Sequence, residues 1–266
     1  MRNPNAISVS NAGLVEDGTV VLREIDWRVS IDERWVVLGA NGSGKTSLLR
    51  LVAFQRAPSS GTLTVLGDTW GGADVRVARQ RIGLASTALL QSLRPNLTAL
   101  EVVMTGRDAA LEPWWASYSD HDRERAGGLL AFVGCAAHAD QAIGTLSEGE
   151  RKRLLVARLL MPEPDLMLFD EPCAGLDLGG REALVALLDE LARDGGRPLV
   201  MVTHHLEEIP PGFTHALLLR GGRIVAAGPL AETLTSDLVS TTFDLAVEVE
   251  SASGRYTARV KTAPRS

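Results

Sequence analysis

Gly39-Ala40-Asn41-Gly42-Ser43-Gly44-Lys45-Thr46 is the stretch that decides how this chain is read. It matches the pattern G-x-x-x-x-G-K-[ST] without a mismatch, and it lies where that pattern has physical meaning. The apolar run Trp35-Val36-Val37-Leu38 predicts a buried strand entering it, and Ser47-Leu48-Leu49-Arg50-Leu51-Val52 predicts a helix leaving it. Gly39, Gly42 and Gly44 let the backbone turn its N–H groups inward, so that a β-phosphate is ringed by donors at a helix N-terminus. Lys45 then reaches the β- and γ-phosphates, and the Thr46 hydroxyl binds Mg²⁺. Together with Ser47, the loop is expected to cradle the phosphates of a nucleoside triphosphate.

Working outward, Leu166-Met167-Leu168-Phe169-Asp170-Glu171 is an apolar run ending in two carboxylates. A buried strand of this kind delivers both acids to the carboxyl edge of a sheet, where open α/β sheets bind ligands. There Asp170 suits Mg²⁺, reached through water, and Glu171 suits general-base work on an attacking water. A second buried run, Leu199-Val200-Met201-Val202, is followed by Thr203 and His204. Ser147 and Gly149 open a helix, and Ser147 with Glu150 three residues on has the form of a capping box. The hydroxyl and N–H groups of that turn then lie at the positive end of a helix dipole.

The first third of the chain is β-rich, with runs at Val20-Val21-Leu22, Ile25-Asp26-Trp27-Arg28-Val29, Gly61-Thr62-Leu63-Thr64-Val65 and Arg81-Ile82-Gly83-Leu84-Ala85. From Asn96 to Leu160 the pattern is helical, with Asn96 or Thr98 as a cap and a second helix over Asp120 to Val133. After Pro164 strand and helix alternate, and fully apolar strands in such alternation predict a mostly parallel sheet covered on both faces. Ala216–Arg220 and Arg223–Ala226 flank Gly221-Gly222 and predict a hairpin. Farther on, Phe243, Leu245, Val247 and Val249 alternate with polar or small residues, Ser251 to Gly254 turn, and Tyr256, Ala258 and Val260 alternate again. That predicts a second hairpin, either packed on the edge of the core or serving a partner. The expected division is a nucleotide-binding domain over residues 1–236, with a helical subdomain at about 88–162, and a tail over 237–266.

With 266 residues the chain can bury a sizeable core. Its net charge of −6 gives no global reason to expect nucleic acid as a partner. The two cysteines, Cys135 and Cys173, are far apart and lack metal-ligand spacing, as suits ordinary thiols in a reducing cytosol. Met1-Arg2-Asn3-Pro4-Asn5 carries no leader pattern, and no stretch approaches the roughly 20 apolar residues of a membrane span. A soluble, cytoplasmic protein is expected, one that needs another chain for any membrane-spanning part.

Leu146-Ser147-Glu148-Gly149-Glu150 resembles the LSxGE signature of the ATP-binding-cassette (ABC) ATPases. Ala174-Gly175-Leu176-Asp177, just after Asp170-Glu171-Pro172, resembles their D-loop, and Val202-Thr203-His204 resembles their switch-histidine strand end. Order and spacing agree over roughly residues 6–235, and the wording around Glu33-Arg34-Trp35, Thr203-His204-His205 and Glu207-Glu208-Ile209 is similar to bacterial iron-complex and molybdate-type cassettes. The resemblance implies an α/β P-loop NTPase fold: an ABC-type core with a mostly parallel sheet, an antiparallel β edge and an inserted helical subdomain. It implies ATP and Mg²⁺ as ligands, Lys45, Glu171 and His204 as the catalytic group, and Thr46 and Asp170 on the metal side. Ser147, Gly149 and Asp177 would contact nucleotide held by a second copy or a paralogous cassette. Such a protein hydrolyses ATP to energise solute transport through separate membrane-spanning permease subunits, and sits peripherally on the cytoplasmic face of the membrane. The alternative is a soluble ABC ATPase acting on a macromolecule, or a regulatory ATP-binding module.

The chain departs from the family pattern in two places. The segment Ala12 to Gly18 lacks the aromatic on which adenine stacks, with Val15 or Glu16 nearest its place. Thr87 stands where a glutamine usually touches Mg²⁺ and the membrane partner; either Gln91 serves through a shifted loop, or, as preferred, water fills the contact. Arg151-Lys152-Arg153 is expected to form a solvated face with two of its three side chains. Trp114-Trp115 and Tyr118 fit a subdomain core and a partner groove equally well.

Overall fold

A computed structural model describes residues 5–113, 117–194 and 196–261, so Trp114-Trp115 lies outside the described residues. Strands β1 (Asn5–Glu16) and β2 (Thr19–Ser30) form an antiparallel pair. The separate runs at 20–22 and 25–29 prove to be one strand: Ala12 faces Ile25 and Leu14 faces Leu22, so Gly13 alone opposes Arg23 and Glu24. This is a bulge, with Glu24 at a φ of 51°. The wholly buried β3 (Arg34–Leu38) enters the glycine loop and α1 (Lys45–Val52) leaves it. Next come β4 (Ser60–Val65) and β5 (Asp68–Thr69), which complete an antiparallel sheet in the order β2-β1-β4-β5.

The chain continues through α2 (Val75–Gln80), β6 (Ile82–Ser86) and α3 (Thr87–Ser92) into the helices α4 (Ala99–Thr105), α5 (Asp120–Phe132) and α6 (Glu148–Leu160). Each of these last three starts at a capping box, built on Thr98, Ser119 and Ser147 respectively. Then follow β7 (Leu166–Asp170), α7 (Leu178–Arg193), β8 (Leu199–Thr203), β9 (His215–Arg220) and β10 (Arg223–Pro229).

The central sheet has the order β10-β9-β3-β8-β7-β6, parallel throughout except at the β9–β10 hairpin. Alternate residues divide its two faces, as a period of two requires. Val36, Leu38, Met167, Phe169, Met201 and Leu218 pack towards α4–α7, whereas Trp35, Val37, Leu168, Val200, Val202 and Leu217 pack towards α1 and the antiparallel sheet. The register matters for function: Leu38 pairs with Thr203, Val202 with Asp170, and Asp170 with Ser86. The carboxyl ends of β3, β8, β7 and β6 therefore open onto one edge.

The chain ends with α8 (Leu230–Thr233), α9 (Ser236–Phe243), β11 (Val247–Ala252) and β12 (Arg255–Val260). Here the sequence expectation needs correction, because Phe243 closes a helix and Leu245 lies ahead of the strand. Thr235 caps that helix by accepting the Leu238 N–H, and Asp244 ends it in the left-handed region, so neither apolar residue joins the alternation. The hairpin itself turns on Ser253 and Gly254, both at positive φ. It packs on the main body: Val247 is buried in the core, and Arg255 pairs with Glu182 of α7 and donates to the Glu207 carbonyl. Both cysteines are free and buried, and burial pushes the Cys173 thiol up to about 12. Among the described residues, no helix is long and apolar enough to cross a membrane.

Candidate functional site

The glycine loop owes its shape to close backbone approach. A Cβ at Gly39 would lie 2.2 Å from the Leu219 carbonyl oxygen of β9, so any larger residue would push the loop off the sheet. Gly44, at a φ of 103°, begins α1 in a conformation that side chains disfavour. Inside the loop, Lys45 is buried and turns back to donate to the carbonyls of Gly39 (2.8 Å) and Ala40 (3.1 Å). Burial lowers its pKa, opposed by Glu171 and then Asp170. The Ser43 hydroxyl is buried among the loop atoms without a protein partner. An orphaned donor beside a buried ammonium at a helix start fits a phosphate.

Thr46 Oγ1 donates to Asp170 Oδ1 at 2.9 Å, which joins the loop to the end of β7. Burial raises the Asp170 carboxyl, opposed by the Thr46 hydrogen bond. A hydroxyl and a carboxylate are hard oxygen donors of the kind Mg²⁺ takes alongside substrate phosphates, so the residues present fit that ion. Glu171 leaves the strand at a φ of 47°, with its N–H bonded to the Val202 carbonyl. Its Oε1 then lies 3.9 Å from Lys45 Nζ and 3.3 Å from His204 Nδ1. The side chains of Glu171 and His204 stay about three-tenths exposed, open to a water and to a phosphate.

The signature residues form a separate group. Ser147 caps α6: its Oγ accepts the Glu150 N–H, and Glu150 Oε2 takes both the N–H and O–H of Ser147 at 2.7 Å. Those bonds hold the Glu150 carboxyl below its usual range. Asp177 caps α7 by accepting the Gly180 N–H at 2.7 Å. Ser147, Gly149 and Asp177 line an open hollow of about 490 Å³ with Gly175 and Gly179. No residue of the glycine loop lines it, nor does Asp170, Glu171 or His204. The chain thus brings Gly39–Ser47, Asp170, Glu171 and His204 together and presents Ser147, Gly149 and Asp177 elsewhere.

Two contacts went unread in the sequence. Glu16 Oε2 accepts from Ser47 Oγ at 3.2 Å while its Oε1 takes Arg56 Nε at 3.1 Å, so a carboxylate braces the loop near the place of the missing aromatic. Thr87, the first residue of α3, accepts from Lys152 Nζ at 2.7 Å, while Gln91 is exposed. Lys152 is only 3% exposed, whereas Arg151 and Arg153 are half-buried. A signal existed: Lys152, Leu155, Val156 and Leu159 follow the i, i+3, i+4, i+7 spacing of the buried stripe of α6.

Residues 22–174 match the family model for ABC transporters. The ABC transporter ATP-binding protein YlmA of Bacillus subtilis is 39% identical over 245 residues, spanning 91% of this chain and 92% of that protein. The chain belongs to the ABC transporter family. Within the ABC family it also matches the hemin import ATP-binding protein HmuV of Nocardia farcinica, at 34% identity over 86% of this chain and 77% of that one. The fold is shared with the ABC cassette MJ0796 in its dimeric post-hydrolysis state bound to ADP and Pi. The TM-score is 0.72 at 23% identity, covering 84% of this chain and 98% of that one. ABC family membership implies ATP hydrolysis, and the α/β core with its antiparallel edge is the ABC cassette architecture.

Proposed function

We propose that this ABC protein binds Mg-ATP between its own Gly39–Ser47 loop and the Ser147–Asp177 hollow of a second copy, hydrolyses it, and thereby drives a solute through separate membrane-spanning subunits. The observation that carries this reading is the division of the site: the cradle is braced by its own hydrogen bonds and by one to the acidic strand end, while the signature hollow holds helix N-termini with no phosphate loop of its own. Two copies placed head to tail complete two sites. The MJ0796 cassette, described as dimeric with ADP and Pi, supports the pairing, and the HmuV relative, described as a hemin importer, supports the transport role.

In the completed site Lys45 gives up the carbonyls of Gly39 and Ala40 and turns its ammonium to the β- and γ-phosphates. The Ser43 hydroxyl and the N–H groups of the loop hold the β-phosphate. Thr46 directly, and Asp170 through water, would hold Mg²⁺, which would supply positive charge against the phosphates. Glu171 accepts a proton from water as its oxygen bonds to the γ-phosphorus and the bond to the β–γ bridging oxygen breaks, giving ADP and phosphate. His204, already within 3.3 Å of Glu171, steadies that carboxylate and donates to the γ-phosphate. Ser147 and Gly149 of the other copy present a helix N-terminus to the same group. The protein works as a cytoplasmic, peripheral subunit, with the spans supplied by its permease partners.

Glu171→Gln tests the assignment. It keeps the shape and loses the base, so turnover should fall at least about 100-fold, while gel filtration with Mg-ATP shows a trapped dimer. A variant that stays monomeric with ATP and turns over at the wild-type rate would overturn it. Thr87 at the partner relay favours a second reading, a soluble ATPase acting on a macromolecule, and purification from detergent-solubilised membranes separates the two. Transport predicts a multi-span protein bound to this chain.

A further inference from the structure

The buried lysine of the signature helix lies beside the metal edge of the chain's own site. Lys152 Nζ donates to Thr87 Oγ1 at 2.7 Å. Thr87 directly follows Ser86, the residue of β6 that pairs with Asp170 on β7. Lys152, Thr87, Ser86, Asp170 and Pro172 line one cavity of about 10 Å³, room for the centre of about one water. Desolvation lowers the Lys152 pKa, and the carboxylates of Glu148, Glu171 and Asp170 act against that shift. Asp170 thus lines the same small cavity as the ammonium. A lysine brings three donors, of which one serves Thr87, and burying it on an apolar stripe is costly unless the ammonium is paired and hydrogen-bonded.

We propose that Lys152 is a positioning residue that couples the two nucleotide sites: through Thr87 it ties the metal edge of the chain's own site to α6, the helix whose N-terminus serves the site opposite. The inference rests on the paired-site reading above. When Mg-ATP engages Asp170 and Glu171, the charge balance around the Lys152 ammonium changes. The ammonium follows the nearest negative charge, and α6 shifts with it, carrying Ser147 and Gly149. Occupation of one site thereby sets the presentation of the signature to the other, a coupling free energy between sites. Thr87 is then a functional acceptor in its own right, since a hydroxyl at the start of α3 is what the lysine can reach.

The experiment compares wild type, Lys152→Met, Thr87→Val and the double variant. Methionine keeps the length and apolar stem but loses charge and donors; valine keeps the shape but loses the acceptor. The readouts are the Hill coefficient for ATP in hydrolysis, the ATP affinity of dilute monomer by calorimetry, and the thermal midpoint. Expected for each single variant is a Hill coefficient falling from about two towards about one, with monomer affinity within about threefold of wild type. The double variant should be no worse than either single, because both break one contact, and Lys152→Arg, which keeps charge and donor, should restore part of the cooperativity. A brace with no coupling role would lower the thermal midpoint and leave the Hill coefficient unchanged, and that result overturns the proposal. Should Lys152→Met fail to fold, Thr87→Val alone decides between these outcomes. A wild type that neither pairs nor hydrolyses ATP would instead remove the paired-site reading itself.

Discussion

The loop at Gly39–Thr46 and the hollow at Ser147–Asp177 both offer helix N-termini, yet they are finished to different degrees. In the loop, Lys45 and Ser43 are buried, and Thr46 is already bonded to Asp170. At the hollow, Ser147 and Asp177 are exposed, and Leu178 beside them leaves 67% of its surface to solvent. The exposed capping residues there already satisfy their own helices, so the hollow needs no ligand to fold. Affinity for nucleotide should therefore reside in the first region and the dependence on a second copy in the second.

The largest expected effect comes from the loop. Lys45→Ala removes a buried ammonium whose bonds to phosphate are charge-assisted, so ATP affinity should fall about 100-fold, roughly 2.7 kcal/mol. Isothermal calorimetry on the monomer measures this, and unchanged affinity would erase the contrast between the regions. Gly149→Asp acts on the hollow. A Cβ there meets nothing nearer than Gly180 Cα at 4.0 Å, so the chain should fold normally and bind ATP as monomer with wild-type affinity. A carboxylate facing phosphate should nevertheless cut turnover at least about tenfold and suppress ATP-dependent pairing, since like charges at an interface repel by kilocalories. Weakened monomer binding would show that the two regions are not separable. Val15→Trp has the smallest expected effect. Val15 is 46% exposed where the stacking aromatic is missing, and a new ring there should tighten ATP binding by 0.5–1.5 kcal/mol, roughly two- to tenfold. The gain should be smaller for a base-free triphosphate, and equal gains for both would place Val15 away from the base.

What the sequence discloses is the part carried by contiguous residues. The glycine loop with its strand and helix, the acids closing β7 and the capping box at Ser147 each hold their meaning within a few positions. The meeting of Thr46 with Asp170, and of Glu171 with His204, follows once strand order puts β3, β8 and β7 side by side. Contacts that depend on where one helix settles over another are different. Glu16 with Ser47 and Lys152 with Thr87 join segments that share no motif, and the lysine hid within a run of basic residues that looks solvated. The tail shows the opposite failure: alternation at Phe243 and Leu245 suggested a strand where Thr235 and Asp244 had already defined a short helix.

The β11–β12 hairpin leaves an optical handle on the edge that carries Glu171 and His204. Arg255 is held by Glu182 near the start of α7 and by the Glu207 carbonyl three residues past His204, and Val260 on the same ribbon is 57% exposed. A dye attached at position 260 would sit on the ribbon that Arg255 ties to α7 and to the segment following His204, without entering the cradle or the hollow. A change in its signal on adding ATP would report motion of α7 or of that segment from a point outside both regions.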